Sequence, residues 1–126
     1  MDDTVKMRLN ILRDSGEISN RIADALTAFI KKLEGKYYFV LTEDNGAMFV
    51  THLAAALGRI ERGDTIEAIE PTLLAEARQT PHWGELPGLM ARLEQEAGLS
   101  IPEQERGYLA LHMAVMLEKA KGGEGN

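Results

Sequence analysis

Apolar residues recur at three- and four-residue intervals along most of this chain, and that spacing predicts five helices. The first places Ile18, Ile22, Leu26, Phe29, Ile30 and Leu33 on one stripe, opens at Ser15 or Glu17, and has Gly35 positioned to end it. The second takes Asp44 and Asn45 as caps, turns Phe49, His52, Leu53, Ala56, Leu57 and Ile60 inward, and closes at Gly63. Asp64 then caps a short piece ending near Pro71, where a third helix begins and runs through Leu73, Leu74 and Ala77. After a turn at Thr80-Pro-His-Trp83, a fourth helix carries Leu86, Leu89, Met90 and Leu93 to a stop at Gly98, with Pro87 in its first turn. The fifth spans about Glu103 to Lys119 and points Tyr108, Leu111, His112, Val115 and Met116 inward. Two stretches resist this reading. Thr4 to Arg13 alternates apolar and polar residues and fits either a short strand or an extra helical turn, and Lys36 to Leu41 is a β-favouring run too short to separate helix from strand. The expectation is an all-α, five-helix bundle with a lead segment at 1–16, one domain at 17–121 and a flexible glycine-rich tail at 122–126.

Composition narrows the function classes. The 126 residues suffice for one domain with its own core, and a hydrophobic fraction of 44% beside a charged fraction of 27% is ordinary for a soluble protein. No apolar run approaches the ~18 residues of a membrane span, and the first ten residues lack the features of a secretion signal, so a cytoplasmic location without membrane contact is expected. With no cysteine, disulfides, thiolate metal sites and cysteine nucleophiles are excluded. Fourteen basic against twenty acidic residues leave a formal charge of -6, which disfavours direct nucleic-acid binding. The nearest basic cluster, Lys31, Lys32 and Lys36, sits where cations complement a helix dipole. An effect on transcription would then run through another protein.

The candidate chemistry lies in three histidines. His52 and His112 sit within apolar helical stripes, whereas His82 is a loop residue between Pro81 and Trp83 and reads as surface or packing. A buried imidazole needs partners for both nitrogens, so a single one is most simply a satisfied core histidine; two on the most apolar helices suggest more. A neutral imidazole with an exposed nitrogen can accept a phosphoryl group, adding about -1.5 to -2 charge at one point.

The stretch Phe49-Val-Thr-His-Leu-Ala-Ala-Ala-Leu-Gly-Arg-Ile60, with Gly63 beyond it, resembles the first signature of the PTS regulation domain family, in which a histidine is followed seven residues later by an arginine. Ile101-Pro-Glu-Gln-Glu-Arg-Gly-Tyr-Leu-Ala-Leu-His112 resembles the second, in which a proline precedes a glutamate and a histidine follows that glutamate by seven residues. Leu89 to Gly98 is similar to the family's connecting helix, and the likeness extends over roughly Glu17 to Lys121. The resemblance implies a five-helix bundle that pairs into dimers. It also implies phosphorylation by a phosphocarrier protein or a sugar-specific transport component, and control of a transcription or antitermination regulator in trans. By position His52 and His112 match the phosphorylatable histidines, Arg59 the arginine suited to hold a phosphate or carboxylate, and Glu105 the glutamate opening the last helix. No catalytic residue, metal or organic cofactor is implied.

The chain departs from the pattern in places. Thr51 stands before the first histidine where many antiterminators carry an aspartate, and Arg106 stands where the family has an apolar residue. Plainer readings sit beside the functional ones: Arg59 as an ion-pair partner of Glu61 or Asp64, and Glu105 as a charge complementing its helix dipole. Two other classes remain open. A metal enzyme would gather His52, His112 and Glu105 around a cation, although no His-x-x-x-His or Glu-x-x-His spacing supports it. An adaptor or dimerisation module with degenerate histidines would dock a partner helix in an apolar groove.

Overall fold

The computed structural model describes residues 1–64 and 71–124, with the side chains of Leu73, Leu74 and 121–124 left aside. Within them lie six α-helices: α1 (Asp3–Asp14), α2 (Asn20–Tyr37), α3 (Glu43–Arg62), α4 (Pro71–Arg78), α5 (Leu86–Ala97) and α6 (Glu103–Glu124), with a 3-10 turn at Trp83–Glu85 before α5. The architecture is all-α, and no strand occurs among the described residues. The helix count differs from five because the ambiguous leading stretch is itself a helix. Asp2 caps it by accepting from the Val5 N–H at 3.0 Å, and Val5 and Leu9, one turn apart, are buried against the rest of the core. The short piece expected between Asp64 and Pro71 falls at 65–70, outside the described residues, as do Gly125 and Asn126 of the expected tail.

α2 and α3 package the stripe read from sequence. Ile22, Leu26, Phe29 and Ile30 are wholly enclosed, each worth about 1.5–3 kcal/mol of burial. Ser19, not Ser15 or Glu17, caps α2 by accepting from the Ile22 N–H at 3.2 Å. The helix passes through Gly35 and stops only at Tyr38, which holds the left-handed conformation (φ 55°). The β-favouring run is therefore a helix end and a loop. Thr42 opens α3 in a reciprocal capping box, taking the Asn45 N–H on its hydroxyl while the Asn45 side chain accepts the Thr42 N–H at 2.8 Å. Gly63 and Gly98 end α3 and α5 in left-handed geometry, as placed from sequence.

α2 packs on α5, α3 on α6, and α1 lies along α3 and α2, while α4 and α5 both lean on α6. Gly58 permits a close approach: a Cβ there would stand 2.8 Å from the Glu17 carbonyl oxygen, so the link before α2 can rest on α3. The phase of α6 differs from the expectation. Leu109, Met113 and Leu117 are buried with Ala110 and Ala114, whereas Val115 is exposed and Leu111 only half-buried. Apolar residues surround this helix on nearly every side, so periodicity leaves its rotation undetermined until α3, α4 and α5 choose the inner face.

Candidate functional site

α3 and α6 bring His52 and His112 together. The rings stack, with centres 4.1 Å apart and planes inclined by 16°. Each side chain is half-buried, at the edge of the α3–α6 seam and not within it, because the rotated phase of α6 gives the interior to Leu109 and Met113. Burial, helped by the neighbouring His52, pushes His112 down from its ordinary 6.5 to about 4, so this ring is a neutral base at pH 7.

Tyr108, one helical turn before His112 on α6, completes an aromatic cluster. Its ring meets His112 edge-on at 4.6 Å and His52 at 5.7 Å, and its hydroxyl hydrogen-bonds Nδ1 of His52 at 2.5 Å. Among the described residues His52 Nε2 and both nitrogens of His112 have no hydrogen-bond partner, and none belongs to the polar atoms sealed from solvent without one.

Arg59 lies two turns after His52 on α3, with its guanidinium carbon 5.4 Å from the centre of the Tyr108 ring. It grips Glu105 with a fork, Nε to Oε2 and Nη2 to Oε1, both at 3.0 Å. Glu105 is the single buried charged residue among those described, 1% exposed, and its hydrogen bonds push the Arg59 guanidinium above its ordinary range. The local pairings named from sequence go elsewhere: Arg62 takes Asp64 at 3.3 Å, and Glu61 accepts from Ser19 at 2.9 Å. Both Glu105 oxygens therefore accept from Arg59. Among the described residues no group of three or more histidines and carboxylates is placed to hold a metal ion.

The departures from the sequence pattern have structural counterparts. Thr51 donates to the Ala47 carbonyl of its own helix at 2.9 Å and accepts from Arg8, so no carboxylate stands at that position beside His52. Arg106 turns away from the core and pairs with Glu94 at 3.3 Å. His82 is more engaged than a surface residue: its Nδ1 meets Glu85 at 2.9 Å, Glu85 accepts from the Tyr37 hydroxyl at 2.8 Å, and the Tyr37 ring stands edge-on at 5.7 Å. These hydrogen bonds, from His82 first and Tyr37 second, hold the Glu85 carboxyl below its ordinary range. Tyr108 is the site residue that sequence reasoning passed over as packing. Its signal was a hydroxyl four residues before a histidine, on one helix face.

α3 and α6 thus bring the two histidines named from their motifs together, with an Arg59–Glu105 fork beside them that the motifs did not specify. The family model described as "PRD domain" matches residues 27–115, and the chain belongs to this family of phosphotransferase-related regulatory domains. The Uncharacterized protein YhfY of Escherichia coli (strain K12) is 33% identical over 109 residues, covering 86% of this chain and 91% of that protein. No solved structure matches. Among the described residues no helix is long and apolar enough to cross a membrane.

Proposed function

We propose that this chain is a cytoplasmic, non-enzymatic switch that senses the phosphotransferase system by accepting phosphate on His52, His112 or both, and relays that state as a homodimer to a transcription or antitermination regulator in trans. The observation that carries this reading is the stacked pair of half-buried imidazoles, three of whose nitrogens have no hydrogen-bond partner among the described residues and are not sealed from solvent. His112 is neutral at pH 7 and so keeps the lone pair that attacks phosphorus. A new charge of about -1.5 to -2 on a ring that contacts Tyr108, the ring Arg59 covers, competes with Glu105 for the guanidinium, and any exchange leaves a buried carboxylate without its partner. Such competition ties phosphorylation to the α3–α6 packing, the two-arrangement element a switch needs. The phosphate donor is a phosphocarrier protein or a sugar-specific component, and no cofactor enters.

Incubation with the phosphotransferase cascade and phosphoenolpyruvate, followed by mass measurement under alkaline conditions, tests this reading. The wild type gains a phosphoryl mass that is reduced or lost in His52→Ala or His112→Ala. Absence of label on the wild type rejects the switch. The second reading, an adaptor with degenerate histidines, draws support from exposed Met7 and Ile11 on α1, Met48 on α3 and Val115 on α6. It predicts that replacing both histidines by alanine leaves partner binding intact.

A further inference from the structure

We infer that Tyr108 selects the atom of His52 that receives phosphate, closing Nδ1 and leaving Nε2 as the acceptor. This rests on the phosphorylation reading above, and it adds a positioning residue that no motif of the two histidines identifies.

An imidazole nitrogen attacks phosphorus along its in-plane lone pair, the same direction from which a hydrogen-bond partner approaches. On Nδ1 that direction is occupied by the Tyr108 oxygen at 2.5 Å. Nε2, across the ring, has no hydrogen-bond partner among the described residues. The ring is also constrained from turning over. His112 covers one face at 4.1 Å and Tyr108 stands against it edge-on, so exchanging the two nitrogens would break the hydrogen bond within a half-buried stack. Tyr108 is itself held, by Arg59 over its ring and His112 against its edge.

In the reacting tautomer Nδ1–H donates to the Tyr108 oxygen and Nε2 presents its lone pair. That pair forms the new N–P bond while the donor's P–N bond, of the protein phosphohistidine class, breaks, its electrons staying on the donor imidazole, which takes up a proton from solvent. The positive charge left on the His52 ring is relieved by loss of the Nδ1 proton to solvent. The Tyr108 hydroxyl then rotates and donates to the Nδ1 lone pair, so one side chain serves the ring before and after transfer.

The test uses potassium phosphoramidate, a small donor that needs no cascade and loses ammonia as its P–N bond breaks. The full wild-type chain is treated with it, the peptide carrying residue 52 is isolated under alkaline conditions, and 31P and 15N NMR on that peptide identify the phosphorylated nitrogen. With Tyr108 present we expect only the Nε2 isomer at His52. Tyr108→Phe keeps the ring, its packing and the thermal midpoint, yet admits the Nδ1 isomer to a tenth or more of the label. The inference is overturned by Nδ1 phosphate in the presence of Tyr108, by an unchanged pure Nε2 product in Tyr108→Phe, or by no label at His52 at all. Label from phosphoramidate without label from the phosphotransferase cascade would retain the atom selection and reject the physiological donor.

Discussion

The imidazoles of His52 and His112 lie face to face, with ring centres 4.1 Å apart. Two phosphoryl groups on such neighbours would place charges of about -1.5 to -2 within several ångströms of each other, a repulsion of several kcal/mol even at an effective dielectric constant of about 20. The domain should therefore take one phosphoryl group under cascade conditions that saturate it. Intact mass under alkaline conditions checks this, and a dominant doubly labelled species contradicts it.

Acid should weaken the fold through His112. Its folded value of about 4 lies below the ordinary 6.5, so between those values the unfolded chain binds more protons than the native one. The stabilisation is complete above about pH 6.5 and is lost as pH falls toward 4. For a partly solvated ring it amounts to roughly 2 kcal/mol. Urea unfolding of the wild type and His112→Gln at pH 7.5 and 4.5 measures it: the variant should lose less stability over that interval, and parallel losses contradict the assignment.

Arg59 should matter to stability more than an ordinary surface arginine. Arg59→Met strands the Glu105 carboxylate, 1% exposed, and should cost about 3–5 kcal/mol, whereas Arg59→Met with Glu105→Leu should recover most of that loss. Chemical denaturation of both variants decides the matter. Equal instability of the single and double variants would place the cost in packing and not in the orphaned charge.

Tyr38 ends α2 in the left-handed region with its side chain 86% exposed. Tyr38→Gly removes the Cβ strain without losing packing and should stabilise by about 1 kcal/mol, a rise of a few degrees in the thermal midpoint. Calorimetry tests this; a lower midpoint would reveal an ordered role for the ring.

Several features were legible in the residues themselves because they depend on local periodicity and caps. The stripe from Ile22 to Leu33, the stops at Gly63 and Gly98 and the all-helical class are of this kind. The leading helix was not, since Val5, Met7, Leu9 and Ile11 alternate like a strand and only the Asp2 cap and the burial of Val5 and Leu9 settle it. The seven-residue intervals from His52 to Arg59 and from Glu105 to His112 mark four of the site's five residues on two helices, all but Tyr108.

What the linear chain could not specify was the relation between those helices. α6 is apolar nearly all round, so its rotation follows from packing against three neighbours, and that rotation moves His112 from the interior to the edge of the seam. Arg59 then finds Glu105, 46 residues away, in preference to Glu61 and Asp64, because a buried carboxylate requires a partner while an exposed one has water. In the same way Tyr108 becomes a neighbour of His52, 56 residues earlier, only when α3 and α6 dock. Periodicity along one helix sets which residues share a face; it carries no information on which face of another helix they meet, and the chemistry of this site resides in that meeting.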